Sequence, residues 1–243
     1  MVLNIAHRGG AGLAPENTLL CMEEGIRYAD MLEFDIQPSK DSQLMVFHDR
    51  HGIERTTNGE GKVPDLTFDY LRSLDAGSWF HHNFKGERIP TLTEVLEQTA
   101  STHIQFNIEL KYYNPGSNWF EDQIISTIKE FGIIQRTVIT ARHVENIARL
   151  KEIDSTVDCA LLQKERGKDE YFDLILELEL KTAQIRPSAL EPTFLNNCHE
   201  NDIRVFYFYA DEPEEMKRVL NLGVDGILTN YPDRLRQVLT MEI

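Results

Sequence analysis

Short apolar runs rich in β-branched and aromatic residues alternate with amphipathic helical stretches along almost all of this 243-residue chain, and that rhythm restricts the fold more than any other feature. The strand candidates are Val2–Ala6, Met31–Ile36, Leu44–Phe47, Ile104–Leu110, Thr137–Thr140, Val157–Leu162, Ala183–Ile185, Ile203–Phe208 and Gly226–Leu228. Helical patterns cover Glu16–Tyr28, Trp119–Phe131, Val144–Glu152, Tyr171–Leu178, Ala189–Asn201, Glu212–Leu222 and Pro232–Leu239. Such alternation points to a parallel sheet with helices laid on its faces. Nine strands are one too many for a closed eight-fold barrel. The gap between Ile36 and Leu44 holds only seven residues, Gln37 to Gln43. A parallel crossover needs a dozen or more, so Leu44–Phe47 is read as an antiparallel return arm on the second strand. Eight parallel strands remain, which predicts an α/β fold of the (β/α)8 TIM-barrel class. An open doubly wound sheet is the alternative.

From about Arg50 to Glu87 the rhythm breaks. This stretch is rich in Gly, Thr, Asn, Asp and aromatics, with a short helical pattern only near Phe68–Ser73. Connections of that length are uncommon and often carry function. The expectation is a single domain over residues 1–243 with a small insertion at about 50–87, after the second strand, running over the barrel mouth. Just beyond it, Thr91 and Glu94 have the spacing of a helix-starting capping box. The length matches the ~250 residues of a single barrel and is enough to bury a core without disulfides. Cys21, Cys159 and Cys198 form no CxxC pair and are odd in number, which reads as reduced thiols in a cytoplasmic protein. The opening MVLNIAHRGG lacks the basic start and long apolar run of a signal peptide. No stretch approaches the ~20 apolar residues of a membrane span, so no stable membrane anchoring is expected. The formal net charge of -15 argues against a nucleic-acid partner. An anionic small-molecule substrate remains compatible if cations gather locally at the site. Self-association into a homo-oligomer is left open.

Four clusters fall at or just past the C-terminal ends of strand candidates, where a barrel builds its active site. His7-Arg8-Gly9-Gly10 places a proton-transfer group beside a planar cation that suits phosphate oxygens. Glu33 and Asp35, two apart on a strand, share a face with Cα atoms ~6.6 Å apart. Two buried acids so placed repel unless a cation lies between them. Hard oxygen ligands suit Mg2+ or Ca2+. His48-Asp49 ends the return arm, which can bring His48 over the two acids, and a second histidine completes an acid–base pair. Glu109 and Lys111 share a face at the end of their strand, a third oxygen ligand beside a point cation. Each cluster alone has an ordinary reading: a loop His beside a surface Arg, a solvated acidic edge, a turn His, a surface ion pair. Together, three carboxylates, two histidines and two cations fit a metal-assisted displacement at phosphorus.

The run HRGGAGLAPENT followed by LEFDIQPSKDSQLMVFHD resembles the glycerophosphodiester phosphodiesterase family. The similarity continues through RTTNGEGKV, LDAGSWF, IPTLTEVL, IELK and GVDGILTNYPD, in order, from His7 to Asp233. It implies a barrel with an insertion after the second strand. It further implies that Glu33, Asp35 and Glu109 hold a divalent metal ion, Mg2+ or Ca2+. His7 and His48 would be the acid–base pair, while Arg8 and Lys111 bind the substrate phosphate. The implied reaction is hydrolysis of glycerophosphodiesters, such as glycerophosphocholine or glycerophosphoethanolamine, to sn-glycerol 3-phosphate and an alcohol. Many members have Trp in the late strand and Asn three residues on, where this chain has Phe208 and Asp211, and Asn230 stands where Asp is frequent. Neither departure is expected to touch the seven core residues, and Phe208 is expected to line the substrate pocket. Asn17 is read as part of a plain helix start and left out of the site. His51, His81, His82, His103, His143 and His199 lack strand-end partners and read as surface or structural. A second enzyme class is a related lipid phosphodiesterase, of the lysophospholipase D or phosphoinositide phospholipase C kind, with an apolar or basic rim. A non-catalytic binding module on the same fold would show a lost ligand or histidine, and none is lost.

Overall fold

The computed structural model describes residues 2–114, 119–163 and 166–241, so the outermost residues of the expected 1–243 span lie outside the described ones. Its strands are β1 (Leu3–Ala6), β2 (Met31–Pro38), β3 (Leu44–Val46), β4 (Gln105–Leu110), β5 (Thr137–Ala141), β6 (Asp158–Leu162), β7 (Thr182–Ile185), β8 (Arg204–Phe208) and β9 (Gly226–Thr229). They pair in the order β1-β9-β8-β7-β6-β5-β4-β2-β3, and β1 also pairs with β2, which closes eight parallel strands into a ring. Only β3 is antiparallel, returning along β2 with Ile36 opposite Val46 and Pro38 opposite Leu44. The short gap at 37–43 therefore does what its length dictates, and the closed barrel forms in place of an open sheet.

Alternation along each strand sorts the side chains into two cores. Outward residues such as Leu32, Phe34, Phe106, Ile108 and Ile139 pack under the helices in the main cluster. Inward residues Ile5, Met31, Val138, Ala160, Phe206 and Leu228 fill the lumen as a separate apolar cluster. One step further along the strands the lumen turns polar. Asn107 Nδ2 donates to Gln184 Oε1 at 2.9 Å, and Thr140 Oγ1 donates to Asn107 Oδ1 at 2.5 Å. These buried amides satisfy one another and form the floor on which the next inward residues, at the strand ends, stand.

The surrounding helices are α1 (Leu19–Ile26), α2 (Phe68–Ser73), α3 (Leu92–Thr99), α4 (Trp119–Glu130), α5 (Val144–Ile153), α6 (Lys168–Glu177), α7 (Pro192–Glu200), α8 (Pro213–Leu222) and α9 (Pro232–Met241). α3 starts on the capping box: Glu94 N donates to Thr91 Oγ1 at 3.2 Å and Thr91 N donates to Glu94 Oε2 at 2.8 Å. Proline opens α7, α8 and α9, where its missing N–H and fixed φ cost nothing. α1 begins three residues later than the periodicity suggests, because Asn17 turns into the left-handed region (φ 59°) and Thr18 caps the helix through Cys21 N. The excursion after β3 has its own small core, in which Ile53, Val63, Leu71, Leu74 and Ala76 pack on Met45 and Phe47. Among the described residues no helix is long and apolar enough to cross a membrane.

Candidate functional site

Strand register decides which acids meet. β2 and β4 align Asp35 with Glu109 and Glu33 with Asn107, so all three carboxylates rise from neighbouring positions above the polar floor. All three are buried, and one ligand oxygen from each lies within 4.8 Å of the others. Glu33 Oε2 accepts the Arg8 backbone N–H at 2.7 Å, while its buried Oε1, like Asp35 Oδ1, has no hydrogen-bond partner among the described residues. Asp35 Oδ2 accepts from Asn17 Nδ2 at 2.8 Å and lies 3.7 Å from Arg8 Nε. Lys111 Nζ stands 3.0 Å from Asp35 Oδ1 and also pairs with Glu109 Oε1.

The electrostatics of this nest are unequal. Burial, with the Asp35 and Glu109 charges close by, pushes the Glu33 carboxyl well above the usual carboxylate range. Burial acts on Asp35 in the same direction, but Lys111, His48 and Arg8 outweigh it and hold Asp35 below that range. Lys111 is raised in spite of its burial, because Asp35 and Glu109 hold its proton. Three acids thus face two cations, and Glu33, whose Oε1 has neither a hydrogen-bond nor an ion-pair partner among the described residues, is the one disfavoured as an anion. A hard divalent cation among these oxygens would relieve both conditions, so the residues present fit such an ion.

Ring closure sets His7. β1 and β9 align Ala6 with Thr229, which brings the next residues, His7 and Asn230, side by side. His7 Nδ1 and Asn230 Oδ1 are 2.8 Å apart. The Asn230 amide nitrogen donates to Asp211 Oδ2 at 2.7 Å, which fixes the amide with its oxygen toward the imidazole. His7 therefore carries its proton on Nδ1 when neutral and turns Nε2 to the acids, 3.9 Å from Glu33 Oε2. The Phe208 ring meets the imidazole edge-on at 5.1 Å, and Tyr209 stacks on it at 5.7 Å. Burial and the neighbouring Arg8 charge lower its pKa to about 3. The expectation that the Phe208, Asp211 and Asn230 departures stay clear of the core residues is overturned: one touches the His7 ring, one bonds it, and the third holds the second. Phe208 also lines a cavity of about 230 Å3 with His48, Glu109, Lys111, Gln163, Gln184 and Arg186.

His48 arrives on β3, the return arm. Its Nδ1 is 2.6 Å from Asp49 Oδ1, and its ring borders both that cavity and an adjoining one of about 580 Å3 that includes Glu109 and Lys111. His51 and His143 line the larger cavity too, His143 stacked on Tyr113 at 4.7 Å just past β5, so these two stand at the mouth and not on a remote surface. Asn17 is the residue that sequence reasoning left out. Besides its bond to Asp35 Oδ2, its Oδ1 accepts the Asp35 backbone N–H at 3.3 Å. Its signal was an asparagine directly before a capping threonine, since Asn is one of the few non-glycine residues that enter the left-handed region readily.

A barrel mouth that gathers buried acids and cations, with His7 and His48 at its rim, suits an enzyme that handles a charged phosphate ester. Residues 7–234 match the model of the glycerophosphoryl diester phosphodiesterase family. A glycerophosphodiester phosphodiesterase of Caldanaerobacter subterraneus subsp. tengcongensis is 35% identical over 237 residues, covering 96% of each chain. Among solved structures, the glycerophosphodiester phosphodiesterase of Agrobacterium tumefaciens superposes with a TM-score of 0.85 at 24% identity, covering 98% of this chain and 100% of that one. An Oleispira antarctica phosphodiesterase, in complex with the product sn-glycerol-3-phosphate, superposes at 0.87 with 22% identity over 97% of this chain and 96% of that one. The chain belongs to the glycerophosphoryl diester phosphodiesterase family, and with it to the phosphoric diester hydrolases.

Proposed function

We propose that this chain hydrolyses water-soluble glycerophosphodiesters, such as glycerophosphocholine or glycerophosphoethanolamine, to sn-glycerol 3-phosphate and an alcohol, with Mg2+ or Ca2+ held by Glu33, Asp35 and Glu109. The observation that carries the reading is the convergence of those three buried carboxylates, two of them, Glu33 and Asp35, with an oxygen that no hydrogen bond satisfies among the described residues. When bound, the cation supplies Lewis-acid polarisation of a phosphoryl oxygen, a contribution of several kcal/mol. Arg8 and Lys111 bring the positive charge that a diester anion needs in so acidic a protein. His7 and His48 each have Nδ1 engaged, which leaves Nε2 for proton transfer. One accepts the proton of the attacking oxygen as the new P–O bond forms. The other returns a proton to the alkoxide as the old bond breaks. Phe208 bounds the small cavity beside the acids and lines the substrate pocket. Residues 1–243 act as one domain in this reading, with 50–87 as an insertion at the mouth.

The test is turnover of both diesters by the purified chain with and without chelator. EDTA is expected to abolish activity and either cation to restore it. His7→Ala and His48→Ala are each expected to lower kcat by ~10² or more with the melting temperature unchanged. Full activity in chelator removes the metal from the reading, and full turnover in either variant removes that histidine.

A further inference from the structure

Arg55 sits on the excursion after β3, away from every strand end, yet it contacts both sides of the mouth. Its Nε donates to Asp49 Oδ2 at 2.6 Å, on the carboxylate whose other oxygen meets His48 Nδ1. Its terminal nitrogens grip Glu16 from the other direction: Nη1 donates to Oε2 at 3.0 Å and Nη2 to Oε1 at 2.5 Å. Glu16 Oε1 also accepts from Arg8 Nη1 at 2.9 Å, and the Arg8 backbone N–H holds Glu33. A continuous line of charged contacts runs from His48 through Asp49, Arg55 and Glu16 to Arg8. An isolated exposed ion pair contributes little. This one differs, because Arg55 uses its planar fork on two carboxylates at once, one of them, Glu16, only 8% exposed.

The geometry answers a problem set by the sequence. His48 comes in on a three-residue strand and turns straight into a loop, so little backbone structure fixes its ring. Its tautomer and rotamer must come from what holds Nδ1, and Asp49 holds it. Asp49 in turn lies in the same loop and needs an anchor on the barrel side, which Glu16, between β1 and α1, supplies through Arg55.

We propose that Arg55 is a positioning residue for hydrolysis: it clamps Asp49 onto His48 and Glu16 onto Arg8, and so sets the two sides of the mouth relative to each other. The proposal rests on the reading of His48 as a proton-transfer group. A ring displaced by about 1 Å costs up to ~10²-fold in rate, so the clamp acts on turnover more than on substrate binding.

The experiment is a double-mutant cycle on glycerophosphocholine with saturating Mg2+ or Ca2+, using Arg55→Ala, Asp49→Asn and Arg55→Lys in the wild-type and His48→Ala backgrounds, with melting temperatures for each. Arg55→Ala and Asp49→Asn are each expected to lower kcat by ~10-fold or more with KM within about threefold. Arg55→Lys is expected to stay low, since an ammonium cannot bridge both carboxylates. In the His48→Ala background Asp49→Asn is expected to add less than about twofold, because it acts through the missing ring, and Arg55→Ala is expected to keep only the part of its effect that passes through Glu16 and Arg8. Wild-type kcat in Arg55→Ala overturns the proposal, as does an undiminished effect of Asp49→Asn or Arg55→Ala without His48. Wild-type turnover in His48→Ala alone removes His48 from the functional reading and overturns this clamp with it.

Discussion

Asn17→Ala is the substitution whose cost the structure defines most closely. The side chain gives one hydrogen bond to an anionic oxygen of Asp35 at 2.8 Å and takes one from the Asp35 backbone at 3.3 Å, both buried. Losing a bond to a charged, buried partner costs ~1.5–3 kcal/mol. Alanine must also adopt φ 59°, a conformation that costs an ordinary residue about 1–2 kcal/mol and asparagine less. The two together come to about 3–4 kcal/mol. At ~2–4 °C per kcal/mol for a chain of this size, the variant is expected to unfold about 10 °C below wild type. Differential scanning calorimetry in chelator measures this directly, and Asn83→Ala, exposed on the excursion, is the control expected within about 0.5 kcal/mol of wild type. Because Asn17 orients Asp35, the affinity for Mg2+ or Ca2+ by titration calorimetry is expected to fall by ~10-fold as well. A melting temperature within about 2 °C of wild type, or an unchanged cation affinity, would show that Asp35 is oriented without this amide.

Burial and the neighbouring acids keep the Glu33 proton bound above the ordinary range, so the cation-free protein binds a proton that the unfolded chain has released, and its stability falls as pH rises through the folded pKa. A divalent cation competes with that proton, and the melting-temperature gain from Mg2+ or Ca2+ is therefore expected to be larger at about pH 8 than at about pH 5; an equal gain refutes the coupling. Lys111→Met leaves Asp35 and Glu109 without their ammonium, and its melting temperature is expected to drop in EDTA and to recover in part with cation, as thermal scans in the two conditions would show. In Gly25→Ala the new Cβ would stand 2.3 Å from the Gly9 carbonyl oxygen, which must move and carry the His7-Arg8 turn with it. That variant is expected to lose ~10²-fold in kcat, a loss that steady-state kinetics on glycerophosphocholine would reveal or deny.

The acids were legible because their geometry is local. Glu33 and Asp35 share a face by strand alternation alone, and Glu109 joins them once β2 and β4 are neighbours in the ring. His48 was legible because a seven-residue gap forces a return arm. The contacts that position His7 were not legible, for they cross between distant segments. Asn230 lies next to His7 only because the ring closes β9 on β1 with Ala6 beside Thr229, a register that no sequence period announces. Closure itself was expected, so the neighbour of His7 could have been sought at the end of the last strand. Asp211 follows from Asn230, as the anchor of an amide that must face one way. Asn17 was hidden by helical periodicity, which ran through Glu16 and Asn17 although the chain turns there. Arg55 opens the RTTNGEGKV run of the family resemblance, but that run says nothing of its partners, and an arginine in a long polar excursion looks solvated until Glu16 and Asp49 are seen on either side of it.

The seam between β1 and β9 has a consequence for the order in which competence is acquired. The three clustered acids, Glu33, Asp35 and Glu109, stand on β2 and β4, and those strands can pair before the last one arrives. The imidazole of His7 gains its fixed tautomer only when β9 docks and delivers Asn230, with Asp211 behind it. If Glu33, Asp35 and Glu109 hold a cation and His7 transfers a proton, as proposed, a molecule stalled with an open ring would bind ions and still be a poor hydrolase. Catalytic power is in this sense a report on completed folding, withheld until the final strand is home.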